Sequence, residues 1–464
     1  MAKQIPTYTS TDELVEWLVH SPNLSEGIAL IRSRDAFIDT VGCCLSGAYE
    51  TVVNKVFEAV CSSHLGACSV FGREEKLSAE MAALINGTAA HALDFDDNFN
   101  PAVTHASAIL VPAILALGEE MGASGNELLD AYIVGLEVQA WLGRQMIPTH
   151  YSAGWHATST IGAIGVAGAC SRILKLDIEH TLYALSIATS MAGGSKLQFG
   201  TMVKPLHAGL AARAGITSAK LAAAGIKASK EPFSGAWGFV ELHNGKPHNT
   251  TNRENNFVPK LAIVSYGLAQ KRFPCCASAH RTMDAILFLM SEYSLKTDEI
   301  ERLETFVPDY DYQNMRFERP MDEMEARFSM PYCAAVTALY GRVKLSDFTK
   351  MAVTRPEVSN WLYRVTMHSM GEKTEKETSI WEIPAVTTLL LQDGRRLEKH
   401  VLQPVGTIHA PMREEDKVNK FRDCTEKYLP EWKIGELYRR LMNLEQQNIY
   451  DIVDLMTSNP QIFC

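Results

Sequence analysis

The sequence predicts a mainly α-helical protein with an α+β second domain. Three observations carry that expectation. Residues 10 to about 265 read as a succession of Ala-, Gly- and Leu-rich helical segments. From about 268 to 402 the pattern alternates polar and apolar and carries a hairpin signal at Asp393-Gly394. After Gln403-Pro-Val-Gly406 the helical pattern returns, and that tail can rejoin the first domain. With 464 residues the chain is too long for one simple core, so more than one domain is expected.

The elements follow in order. Ser10-Thr-Asp-Glu13 fits a capping box ahead of Leu14, Trp17 and Leu18. Helices are then expected over 78–93, 106–121, 125–144, 161–174, 178–191 and 207–224. Their many small residues predict close helix–helix packing. Residues 227–266 are richer in Gly, Pro, Asn and Lys and read as an irregular connection, with a tight loop at Gly235-Ala-Trp-Gly238. In the second domain, strands are expected over 301–307, 361–368, 385–391 and 395–402, and helices over 279–293 and about 331–341. A further helix is expected over 433–444. The boundaries that result are 1–266, 267–402 and 403–464.

Composition excludes several function classes. The net charge of −10, from 44 basic and 54 acidic residues, argues against nucleic acid and against an anionic membrane surface. No secretory signal is visible in residues 1–10, and the most apolar run, 106–118, is shorter than the roughly 20 residues a bilayer needs. Ten scattered cysteines with no CxxC spacing point to free thiols in a reducing cytoplasm rather than a disulfide scaffold or zinc ribbon. There is no Walker A loop, GxSxG elbow, HExxH or GxGxxG after a strand, so no cofactor is expected.

The chemistry-bearing segments lie between apolar runs. His91-Ala-Leu-Asp94-Phe-Asp96-Asp97-Asn98 leads to Thr104-His105, packing three carboxylates, two asparagines and two histidines into fifteen residues. So much ionisable density in an apolar setting is costly unless the groups pair or do chemistry. Gly154-Trp-His156 precedes a helix start rich in hydroxyls, Thr158, Ser159 and Thr160, and such a start attracts a carboxylate. Lys204-Pro-Leu-His207 sets an ammonium and an imidazole at another helix start. Lys271-Arg272-Phe-Pro-Cys275-Cys276 leads to His280-Arg281, which reads as an anion-binding group rather than a metal site, since a fourth ligand is missing. The same residues also suit helix caps and polar loops, and spacing alone leaves both readings open.

Five ordered motifs decide between them. His91-Ala-Leu-Asp-Phe-Asp-Asp97 with Thr104-His105-Ala-Ser107, Gly154-Trp-His156, Lys204-Pro-Leu-His207-Ala-Gly209, Arg272-Phe-Pro-Cys275 with His280, and Glu325-Ala-Arg-Phe-Ser-Met-Pro-Tyr332 together resemble the MmgE/PrpD family. That family includes 2-methylcitrate dehydratases, cis-aconitate decarboxylases and an iminodisuccinate epimerase. The resemblance covers essentially the whole chain. It implies a large all-helical domain built from both chain ends, an inserted α+β lid, a homodimer, and a cleft between domain and lid without metal. Asp94, His105, His156, Lys204, His280 and Tyr332 fall where the decarboxylases place active-site residues. Asn98 stands where those members often carry Thr, and the 154–160 and 199–205 stretches look more like the epimerase branch.

The expected chemistry is proton transfer at a carbon beside a carboxylate of a small anionic di- or tricarboxylate. His105 and His156 would serve as base and acid, and Lys204 would steady the developing enolate. Asp94 would hold an imidazole in the required tautomer, and Tyr332 would complete the catalytic set. Asn98, Thr158, His207, Arg272, His280 and Arg281 would bind substrate. A lyase, by dehydration or decarboxylation, is the favoured outcome. An epimerase and a non-catalytic ligand-binding homologue are the alternatives.

Overall fold

The computed structural model describes residues 10–62, 65–244, 260–371 and 382–457. The signal reading of 1–10 and the middle of the 227–266 connection therefore fall almost wholly or partly outside the described residues. The chain divides into two compact units. One comprises residues 1–92, 96–269 and 418–464, the other 93–95 and 270–417.

The first unit is helical. Its elements are α1 (Thr11–His20), α2 (Gly27–Gly47), α3 (Thr51–Val60), α4 (Ala79–Ala92), α5 (Ala106–Met121), α6 (Gly125–Met146), α7 (Thr149–Ser152), α8 (Ala157–Ile173), α9 (Ile178–Thr189) and α10 (Val203–Ala223). The capping box at Ser10 is present, with reciprocal bonds to Glu13. A second box, Ser124 with Glu127, starts α6. The buried positions of α4, α5, α8 and α10 are rich in Ala, Gly and Ser, which lets their axes approach closely. A short antiparallel pair, β1 (Leu65–Ser69) and β2 (Lys76–Leu77), interrupts the helical pattern expected there. Ser69 fixes it, its N–H donating to buried Glu119 at 2.7 Å. Helices Glu431–Leu441 and Ile449–Met456 close this unit from the C-terminal side. Among the described residues no helix is long and apolar enough to cross a membrane.

The second unit is built on a four-stranded mixed sheet in the order β4-β3-β5-β6, with β3 (Ile300–Val307), β4 (Val365–Ser369), β5 (Ala385–Leu391) and β6 (Arg396–Val401). β3 pairs with β4 in parallel and with β5 antiparallel. Asp393-Gly394 turns β5 into β6, and Gly394 takes the positive φ of 86° that the turn requires. The expected strand over 361–368 starts later. Trp361 and Leu362 instead end a helix, Pro356–Leu362, where Pro356 presets the first turn and Val358 and Trp361 share a buried face. Helices His280–Glu292 and Met330–Tyr340 contribute Met283, Ile286, Leu289 and Val336 to a core shared with Leu303 and Leu389 of the sheet.

Candidate active site

Four helix ends of the first unit build the site. His91 lies in the last turn of α4. His105 and His156 are the residues at which α5 and α8 begin, and neither imidazole caps its own helix's first turn. Lys204 and His207 come from the start of α10. Between α4 and α5 the chain reverses at 99–104, where Phe99 and Thr104 exchange backbone hydrogen bonds of 2.7 and 3.3 Å over a fully buried Phe99 ring. The Asp97 carboxyl then meets the first turn of α5. It accepts the Ser107 N–H at 3.3 Å and bonds the Ser107 hydroxyl, which lies 2.6 Å from the Tyr132 hydroxyl. An acidic group there suits the unpaired N–H groups of a helix start.

Close approach of α10 to α4 sets the other half. A Cβ on Gly209 would lie 2.1 Å from the Leu84 carbonyl oxygen and 2.4 Å from Thr88 Oγ1. Only glycine permits that crossing, and it brings Lys204 to the end of α4. At α8, Gly194 (φ +152°) supplies the carbonyl that accepts the His156 N–H at 3.0 Å, and a Cβ there would meet Ser159 at 2.7 Å.

The side chains form one buried network. Asp96 carries no solvent exposure, and its carboxylate lies 2.9 Å from His91 Nδ1 and 3.0 Å from His105 Nδ1. His105 Nδ1 also lies 3.1 Å from the Asp97 carbonyl. Both neighbours of that nitrogen are acceptors, so it carries the proton and Nε2 is the basic nitrogen of neutral His105. His91 Nε2 faces Lys204 Nζ at 2.9 Å, so His91 donates to Asp96 through Nδ1 and accepts from the ammonium through Nε2. Burial works against ionisation of Asp96, but His91 and His105 outweigh it and hold its carboxyl well below the usual range. Burial pushes the Asp97 carboxyl up to about 7. His156 Nδ1 meets His207 Nδ1 at 3.0 Å. Burial, then the Lys204 charge and the surrounding imidazoles, keep His156 well below the ordinary histidine value; burial, His91 and Lys204 bring His207 to about 4.

His105, His156, Lys204 and His207 are thus brought together as the motifs suggest. The other expected residues have the following partners. The carboxylate placed on the imidazoles is Asp96. Asp94, at a left-handed φ of 53°, lies 3.0 Å from Lys271 Nζ in the second unit, and its carbonyl accepts from the same ammonium at 2.8 Å. Thr158 Oγ1 accepts the His105 backbone N–H at 3.1 Å, so it positions a histidine. Arg272 pairs with Asp284 at 2.9 Å, and Arg281 with Asp311 and the Ile383 carbonyl, so both cations are already neutralised. His280 is buried at the start of its helix, Nε2 3.3 Å from the Cys275 carbonyl. Tyr332 is a core residue: its ring packs edge-on against Phe348 and its hydroxyl donates to the Asp347 carbonyl. The apolar face of Met330–Tyr340 draws it inward. Asn98 Nδ2 is buried with no acceptor among the described residues. His91, Asp96 and Lys271 stand in the motif segments but received no role from sequence. The one signal for the first two is their five-residue separation across a helix end.

Ring nitrogens of His91, His105 and His156 can lie within 4.8 Å of one another, close enough for a shared metal ion. The Lys204 ammonium beside His91 Nε2 would repel a cation there, so the donor set fits a hydrogen-bond network better.

The chain thus has a helical unit that holds closely packed imidazoles, a carboxylate and an ammonium, and a second unit built on a mixed sheet. The MmgE/PrpD N-terminal domain matches residues 17–251 and the MmgE/PrpD C-terminal domain matches residues 273–443. The chain belongs to the MmgE/PrpD family. It is 30% identical to a cis-aconitate decarboxylase of Mus musculus, over 95% of this chain and 91% of that one. It is 30% identical to the Homo sapiens cis-aconitate decarboxylase, over 92% and 90%. The Aspergillus terreus enzyme of that name is 26% identical over 90% and 89%.

Proposed function

We propose that this protein is a lyase acting on a small di- or tricarboxylate, with histidine-mediated proton transfer at a carbon beside a carboxylate. The observation that carries the reading is the Asp96 carboxylate shared by His91 and His105. It fixes the His105 tautomer with Nε2 as the basic nitrogen, placed to take or return a proton. Lys204, steadied by His91, supplies positive charge for the enolate that develops as the carbon–hydrogen or carbon–carbon bond breaks. Asn98 Nδ2, a buried donor with no acceptor among the described residues, suits a substrate carboxylate. The relatives' names support decarboxylation of cis-aconitate as the first reaction to test. In that case the electron pair of the lost carboxylate stays on carbon and is captured by a proton from an imidazole.

Proton NMR in D2O with cis-aconitate, 2-methylcitrate, citrate, malate and iminodisuccinate tests the reading. Loss of carbon dioxide or water with deuterium entering the carbon supports a lyase. Exchange with inversion and no loss replaces it with an epimerase. No exchange and no turnover with any of them overturns it. His105→Ala is expected to lower turnover about 10²- to 10⁴-fold, the range of a lost general acid–base group.

A further inference from the structure

The contact between His156 and His207 has chemistry of its own. Their Nδ1 atoms lie 3.0 Å apart, with ring centroids at 5.3 Å and planes tilted by 47°. A hydrogen bond between two like nitrogens needs a proton on one and a lone pair on the other. Two neutral arrangements satisfy that need. In the first, His156 carries Nδ1–H and His207 carries Nε2–H, so His156 Nε2 is a base. In the second, His207 carries Nδ1–H and His156 carries Nε2–H, so His156 Nε2 is an acid. One converts into the other when the bridging proton crosses between the Nδ1 atoms while a proton leaves one Nε2 and another arrives at the other Nε2.

The surroundings favour this exchange over forming a cation on His156. His91 of α4, His105 at the start of α5, and Lys204 and His207 of α10 all bear on His156, and burial adds to their effect. His91 and Lys204 likewise face His207. An imidazolium at His156 would be desolvated and set among cationic or cationisable groups.

We propose that His207 is the proton relay of His156: the two share one Nδ1 proton, so that His156 Nε2 gives or takes a proton at a substrate carbon without becoming an imidazolium. The proposal rests on the carboxylate-lyase reading above and adds His207 as a positioning residue acting through His156. In the donating direction, His156 Nε2–H breaks and the carbon–hydrogen bond forms with the electron pair left on carbon. The His207 Nδ1 proton crosses to His156 Nδ1, and water supplies a proton to His207 Nε2. The accepting direction reverses each step and returns a proton to water.

The test uses the full chain with His207→Gln and His207→Ala. Gln can hydrogen-bond to His156 but cannot pass a proton through itself. With cis-aconitate, kcat is expected to fall about 10²-fold in both variants with KM little changed. Added imidazole should restore part of the rate of His207→Ala and none of His207→Gln, a rescue that a merely structural role would not give. If His207→Gln keeps near wild-type kcat, or if imidazole fails to rescue a folded His207→Ala, the relay is overturned. A second measurement needs no turnover. Nitrogen-15 NMR of the histidine-labelled protein, assigned with His156→Gln and His207→Gln, should find opposite tautomers at the two positions or their exchange average. Two Nε2–H tautomers would overturn the shared proton. If no carboxylate is turned over, the lyase reading fails by itself and the nitrogen-15 result decides on the pair.

Discussion

Asp96 and Asp97 are adjacent in sequence, fully buried, and opposite in charge behaviour. Asp96 is ionised because two imidazoles donate to it; Asp97 is pushed up to about 7 because burial, with the charges of Asp39 and Asp96, outweighs the bonds from the Ser107 hydroxyl and amide. Replacing Asp96 by Asn removes one of the two acceptor oxygens, so His91 and His105 cannot both keep their Nδ1 protons directed at it. Steady-state kinetics of Asp96→Asn should show kcat down about 10²-fold or more with a smaller change in KM, as for a lost tautomer-fixing carboxylate. A mere effect on substrate affinity would contradict this assignment. Asp97→Asn should act on stability instead. The folded carboxyl titrates at about 7, against about 3.9 in an unfolded chain. Between those values the folded protein retains a proton that the unfolded chain has released. Stability therefore falls as pH rises through this window and levels off above it. Asn imitates the protonated carboxyl without that dependence. Thermal melts should place Asp97→Asn near wild type at about pH 5 and above it at about pH 8.5.

At the scale of elements, helix contact through glycine decides where the ammonium stands. Sequence shows that the helices are rich in small residues, because composition and the 3.6-residue period are local properties. It does not show which glycine faces which backbone, since that depends on how α10 crosses α4. Gly209→Ala sets a methyl 2.1 Å from the Leu84 carbonyl, against backbone rather than a side chain that can swing aside. α10 must then move off α4, carrying Lys204 away from His91. A loss of about 1–3 kcal/mol in urea denaturation is expected, together with loss of turnover. Gly435, inside helix Glu431–Leu441, provides the contrast, since a methyl group there would meet nothing within 4 Å. Ala there should raise stability by about 0.5–1 kcal/mol and leave turnover unchanged. Equal effects of the two substitutions would show that the close crossing does not set the site.

For the whole molecule, the mainly helical chain with an α+β portion is legible in the sequence because periodicity and the Asp393-Gly394 turn are local signals. The gathering of His105, His156, Lys204 and His207 is legible as a set of ordered motifs. Their partners are not. Which of three nearby aspartates meets the imidazoles depends on local backbone such as the left-handed Asp94, φ +53°, that no propensity announces. Arg272 and Arg281 look like free cations in sequence because their neutralising carboxylates, Asp284 and Asp311, stand 12 and 30 positions away. One long-range pairing joins residues near the two chain ends. Lys420, in the C-terminal part of the helical unit, reaches Asp39 of α2 at 2.6 Å, and both are nearly excluded from solvent. Burial raises the Asp39 carboxyl even against the pull of Lys420, so the ion pair is held at some cost in desolvation. Lys420→Met strands that carboxyl in the core and should cost about 3–5 kcal/mol in urea denaturation. Adding Asp39→Asn to it should recover much of the loss, because no charge then remains buried. The single variant's deficit should also shrink as pH falls, since the stranded carboxyl takes up a proton more readily folded than unfolded. A Lys420→Met deficit that is small and independent of pH would mean that apolar packing alone, through residues such as Phe421, Leu437 and Ile452, holds the C-terminal segment in the helical unit.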